Sequence, residues 1–166
     1  MEVRPKIKLK LSTADKIIES LGYLSIIALW SLTIMSYKNL PEIIPTHFNE
    51  SGQADEFGDK RTILTLPAVA TILFAGMTIL NKFPHILNYL TKITEENALF
   101  QYTNAARMIR YLKLITVIIF GIIVFKTIQN AHGHAEGLGI WFLPIVLGLI
   151  IIPLIYFIFR SLKTEH

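Results

Sequence analysis

The chain has 166 residues, 52% of them hydrophobic and 17% charged, with a formal net charge of +4 and a positive mean hydropathy of +0.51. This is the profile of one small membrane domain, residues 1–166, more than of a soluble one. The absence of cysteine excludes disulfides, thiol nucleophiles, cysteine-ligated zinc and iron–sulfur clusters.

The first segment is a basic tail in which Arg4, Lys6, Lys8 and Lys10 alternate with Pro5, Ile7, Leu9 and Leu11 beside an apolar run. Contact with anionic lipid headgroups accounts for it better than a nucleic-acid arm, so the bilayer is an expected partner and direct nucleic-acid binding is not expected. About 20 residues at roughly 1.5 Å each cross a hydrocarbon core of about 30 Å. Residues 17–37 meet that length and end in Ser36-Tyr37-Lys38 without a small-x-small cleavage site, which reads as a retained anchor.

Residues 38–62 form a polar, turn-rich loop, and residues 63–80 a second span. Thr65, Thr71 and Thr78 can return their hydroxyls to the backbone, and Pro67 falls in the first turns, where a missing N–H costs little. In the connection 81–110, Thr94 caps a helix that opens on Glu95 and Glu96. Ala98, Leu99, Tyr102, Ala105 and Ala106 carry it at helical spacing into the third span, 111–129. The fourth span, 138–159, contains Pro144 and Pro153, which should bend it. The expected fold is all-α with four transmembrane helices.

Twelve of the sixteen Lys and Arg residues fall in the N-terminal tail through Lys16, the middle connection through Lys113, and the C-terminal tail with Arg160 and Lys163. Only Lys38, Lys60, Arg61 and Lys126 fall on the other side. The positive-inside rule then gives an N-in/C-in protein, with 81–110 cytoplasmic and 38–62 an ordered extracytoplasmic loop between helices 1 and 2. No ionisable residue is expected at midplane, since Glu19 and Lys126 lie near helix ends. Ala68, Thr71, Ala75 and Thr78 read as a packing stripe.

In the outer loop, Pro41 and Pro45 hold Leu40 and Ile44 away from helical angles. Asn49-Glu50-Ser51-Gly52 is a turn, Gly58 is a second candidate for a backbone angle other residues resist, and Phe48 and Phe57 offer apolar contacts to the span ends. Such a loop is a small lid. His47, Asp55, His132, His134 and Glu136 share its face and are a zinc or copper ligand set by residue type, although no cofactor is required. Were residues 131–135 extended, His132 and His134 would point to one side. The alternatives are a hydrogen-bonded structural His47, a pH-sensing His47, and a His-x-His that is only a solvated turn. Asp55, Glu56, Asp59, Lys60 and Arg61 are either a solvated loop end or a docking patch for a cationic peptide. No His-Glu-x-x-His helix, phosphate loop or nucleophile with its base is present, so no catalytic residue is assigned and the chain is not expected to be an enzyme.

The stretch from Leu40 to Lys60 resembles the signature of the DUF1648 membrane proteins, L-P-x-x-I-P-x-H-F-N-x-x-G-x-x-D-x-x-G-x-K, at every fixed position. A second region, from Phe83-Pro84-His85 through Ile93-Thr94-Glu95-Glu96 to Gln101-Tyr102, is similar too, so the resemblance covers about residues 20–125. It marks Pro41, Pro45, His47, Phe48, Asn49, Gly52, Asp55, Gly58 and Lys60 as the signature loop and candidate ligand contacts. Among the relatives are SdpI-like immunity proteins. The resemblance therefore implies a non-enzymatic, multi-pass protein of the bacterial inner membrane, providing immunity to, or sensing of, an extracellular peptide or envelope stress. A cytoplasmic transcriptional repressor would be a further partner. The alternative is a small metal-binding membrane enzyme or transporter accessory that uses the outer-loop histidines.

Overall fold

The computed structural model describes residues 4–163. In chain order it contains α1 (Thr13–Tyr37), β1 (Ile43–Phe48), β2 (Ala54–Asp59), a 3-10 segment (Lys60–Leu64), α2 (Thr65–Leu80), a short 3-10 turn (Pro84–Ile86), α3 (Glu95–Ala131) and α4 (Phe142–Leu162). Among the described residues, four helices are long and apolar enough to cross a membrane, the second counted together with its 3-10 lead-in. The chain is thus a mostly helical, multi-pass membrane protein. It is not purely α: the loop 38–62 pairs into an antiparallel hairpin.

Helix ends follow local chemistry. α1 starts earlier than its apolar run because Ser12 and Asp15 form a reciprocal capping box. Thr94 and Asn97 do the same for α3. That helix then runs unbroken for 37 residues, roughly 55 Å at 1.5 Å per residue, so half of the connection 81–110 is the base of the third span. Pro144 lies in the first turn of α4, where its missing N–H leaves no bond unmade, and Pro153 lies in the interior.

α3 is the mast of the molecule: α1, α2, α4 and β1 all pack on it. Toward the hairpin the contacts are apolar, with Leu29, Ile44, Ile63, Phe74, Val117 and Val124 in one buried cluster. Toward the other end they are polar. Lys113 is 1% exposed and its ammonium is bonded to Glu19, lies 3.1 Å from the Thr78 hydroxyl and sits 4.5 Å from the centre of the Phe74 ring. Arg110 reaches Glu19 at 3.5 Å and Asp15 at 3.6 Å, and Arg107 donates to Asp15 at 3.1 Å.

Glu19 lies near the start of α1, away from midplane, and it is paired there. Arg107, Arg110 and Lys113 recur every three residues on one face of α3 and meet Asp15 and Glu19, one turn apart on α1. Lys113 lies roughly 27 Å along α3 from Ala131, close to one hydrocarbon thickness. The clasp thus sits near the boundary of the core, where paired charge is tolerable.

Removing one partner of a buried pair leaves the other uncompensated, whereas replacing both with apolar groups does not. Lys113→Met alone should cost on the order of 3–5 kcal/mol, and Lys113→Met with Glu19→Leu much less. Unfolding of the four corners of this cycle in mild detergent measures the coupling; small, additive single effects would show that the clasp is incidental.

Candidate functional site

Loop 38–62 is anchored at its base. Leu40 and Ile44 are 4% and 1% exposed and join Ile63 against α3. Beyond them, β1 pairs Ile43 with Asp59, Ile44 with Gly58 and Pro45 with Phe57. Pro45 supplies no N–H, and the register shifts on either side of His47. An extra residue in one strand re-aims its neighbour, and here the His47 imidazole Nδ1 comes to rest 2.6 Å from Asp55 Oδ1 on the opposite strand.

The tip is built by Asn49. Its side-chain oxygen Oδ1 accepts from the Ser51 and Gln53 backbone amides, both at 3.0 Å, while backbone bonds join Asn49 N–H to Gln53 O at 2.8 Å and Gly52 N–H to Asn49 O at 2.8 Å. Gly52 has φ +76°, a left-handed angle that costs glycine nothing. It also lies backbone to backbone against the loop between α3 and α4. The Leu138 amide donates to Gly52 O at 2.6 Å. A Cβ on Gly52 would stand 2.6 Å from the Gly139 carbonyl oxygen, and one on Gly137 would overlap the Gly52 carbonyl.

At the exit of the hairpin, Lys60 pairs with Glu42 at 2.8 Å and lies 5.6 Å from the centre of the Tyr37 ring. Asp59 accepts from the Arg61 amide and guanidinium at 2.8–2.9 Å. Those bonds hold its carboxyl down at about 2.

Several expectations are corrected. Gly58 has no positive φ; what its lack of a side chain supplies is room for the Thr46 methyl, 3.1 Å from where a Cβ would stand. Phe48 is half-buried, and Phe57 is 62% exposed instead of packed. Ile43, at 60%, is exposed with it. The buried side chains of β1 are Ile44 and Pro45, and Pro41 is exposed.

The segment 131–135 is not extended. Ala131 ends α3, Gly133 has φ +73°, and the amides of Gly133 and His134 return to Asn130 O and Gln129 O at 2.9 and 2.8 Å. This is the Schellman helix stop. It still brings the rings of His132 and His134 within 6.2 Å of each other. The five metal candidates thus form two pairs, His47 with Asp55 and His132 with His134. Glu136 lines an open cleft of about 600 Å³ with Ser51, Gln53 and Lys126. Among the described residues no three His, Cys, Asp or Glu converge as a metal group.

The hydrogen bond that the protonated His47 ring donates to Asp55, reinforced by the carboxylate charge, raises the His47 pKa above 6.5. A raised histidine pKa means the pair contributes fully below the ordinary value, and the contribution is lost as pH rises through the folded-state value. Ring-proton NMR should place the His47 midpoint above 6.5, and Asp55→Asn should return it most of the way. An unchanged midpoint in that variant would show that the pair does not form.

The docking partner Gly137-Leu138-Gly139 escaped the sequence reading. The available signal was two glycines flanking an apolar residue next to a span, with nothing to say what approached them.

Residues 24–71 match the family model DUF1648, described as a domain of unknown function. An uncharacterized protein of Archaeoglobus fulgidus is 34% identical over 86 residues, 47% of this chain and 47% of that protein. The match therefore spans about half the length of this curated relative. No solved structure matches. The matched residues take in the later part of α1, the whole hairpin and the first turns of α2, and include all nine signature positions.

Proposed function

We propose that this chain is a non-enzymatic, SdpI-like protein of the bacterial inner membrane, whose hairpin faces outward and meets an extracellular peptide or an envelope stress, giving immunity or sensing. One observation supports this reading most. Pro45, Asn49 and Gly52 of the signature build and dock the hairpin, and what it leaves exposed is Ile43 and Phe57 together with the His47–Asp55 pair. An apolar patch that the fold does not need is a candidate contact surface. The orientation rests on the basic residues, which concentrate toward the end of the bundle away from the hairpin. The response would pass to the basic end, where the connection before α3 offers a surface to a partner such as a transcriptional repressor.

The test is protection in a host challenged with a panel of envelope-active peptides. The parent should raise survival against at least one peptide. Ile43→Ser with Phe57→Ser should abolish protection at an unchanged membrane level, and a single cysteine at Ser51 should react with an impermeant reagent in intact cells. Asn49→Ala removes the tip cap and should lower the amount of protein instead. A surface variant that protects as well as the parent, or a parent that protects against nothing, overturns the reading. Zinc or copper retained through purification and lost when His132 and His134 are both changed would point instead to the metal-binding enzyme or transporter accessory.

A further inference from the structure

β2 is the outer strand of a sheet of two. Its partner β1 packs on α3, so the sheet can grow only on the side of β2, where residues 55–57 are all exposed. Lys60 N–H donates to Glu42 O at 2.9 Å, which makes residues 42 and 60 a hydrogen-bonded pair. Antiparallel ladders alternate such pairs with non-bonded ones. Ile44 and Gly58 are then the next bonded pair, and Pro45 and Phe57 a non-bonded one. A proline fits there because its place has no ladder donor to supply. The N–H and C=O of Phe57 therefore point away from β1, and among the described residues nothing else takes them up.

An open strand edge is a template for another extended chain, and native proteins guard it with charge and bulges. Here the guard has one sign. β2 carries Asp55, Glu56 and Asp59 and no basic residue. Residues 38–62 hold five acidic and three basic side chains, a net −2 in a chain of net +4. Lys60 and Arg61 are paired with Glu42 and Asp59, and Glu50 and Glu56 form no salt bridge among the described residues. A second copy of this strand is repelled, whereas a basic strand is attracted.

Side-chain spacing narrows the partner further. Phe57, 62% exposed, and Glu56 are adjacent in β2 and so lie on its opposite faces. An added strand in which basic and β-branched residues alternate sets its apolar side chains against Phe57 and its cations against Glu56. Its residue opposite Phe57 exchanges two main-chain hydrogen bonds with it.

We infer that the open edge of β2 takes up an extended basic peptide as a third strand, bonded through the N–H and C=O of Phe57. This rests on the reading of the hairpin as the contact surface for an extracellular peptide, and it adds how that peptide is held.

The test uses the full chain in phosphatidylcholine nanodiscs, whose lipid carries no net charge, and three end-blocked heptapeptides: alternating Lys and Val, the same sequence with every amide N-methylated, and alternating Glu and Val. The Lys-Val peptide should bind saturably and slow exchange of the Phe57 amide about tenfold or more. The methylated peptide, which keeps the charge and loses the main-chain donors, should bind about tenfold more weakly. The Glu-Val peptide should not bind. Phe57→Pro removes the outward donor without touching the ladder to β1, and should lower binding to the level of the methylated peptide; Phe57→Leu keeps the donor and should keep most of the binding. Because the peptide comparisons need only the parent protein, a variant that fails to fold leaves the test intact. Equal binding of the methylated peptide, a Phe57 amide that exchanges as fast with the Lys-Val peptide as without it, tighter binding of the Glu-Val peptide, or no saturable binding overturns the inference. Any of these in a parent that protects cells overturns the strand addition alone, and a slowed Phe57 amide in a parent that protects against nothing supports the strand addition and overturns the immunity reading.

Discussion

The hairpin end of the molecule depends on a contact between two backbones that only glycine permits. Gly52 at the hairpin tip and Gly137 and Gly139 before α4 approach until a single added methyl on Gly52 or Gly137 would collide, and the Leu138 amide closes the gap with a hydrogen bond to Gly52 O. This joins the connection between α1 and α2 to the connection between α3 and α4. It matters most for α4, which has no buried residue of its own. At its far end α4 is held by Gln101 and Asn104, and at its near end by this loop contact. What the hairpin shows to its surroundings is thus set by where the two loops lock.

The two ends of α3 solve opposite problems. Near the hairpin the helices meet through apolar surface, which in a bilayer gains little over contact with lipid and relies on close packing. At the other end α3 carries Gln101, Asn104, Arg107, Arg110 and Lys113, and each is bonded to a neighbouring helix. Polar groups in a low-dielectric setting are costly unless matched, so they specify which helix sits where and in which register. α1 is chosen by its carboxylates and α4 by its backbone carbonyls. Asn104 Oδ1 and the Tyr102 hydroxyl depart from that economy, since each is buried without a partner.

Much of this was legible in the sequence. Apolar run lengths located four helices, the Thr94 cap and its acidic first turn located the start of α3, and Asn49 to Gly52 announced a turn. The strand pairing was not legible: β1 contains a proline and β2 is Ala-Asp-Glu-Phe-Gly-Asp, so neither has the alternation or residue types of a strand. They pair because Ile44 is pinned at one end and Gly52 at the other, a tertiary cause with no local signature. Phe57 was assigned to the interior by size, yet the side chain opposite Pro45 faces out. The spacing of Arg107, Arg110 and Lys113 was visible, but counting them toward orientation hid that three basic residues on one face need acidic partners. His132-Gly133-His134 invited a metal reading, although a glycine one residue past a helix cap is first of all a stop signal.

The central claim is that the signature loop is a docked hairpin, locked through Gly52 to the loop before α4, and the most direct measurement is backbone hydrogen exchange in nanodiscs. In the parent the Leu138 amide and the paired amides of residues 43–59 should exchange slowly. Gly52→Ala combines a disfavoured φ with a backbone collision, and should speed both sets about tenfold or more while leaving residues 115–128 of α3 unchanged. Fast exchange across the hairpin in the parent, or a Leu138 amide that stays protected in the variant, would contradict the account.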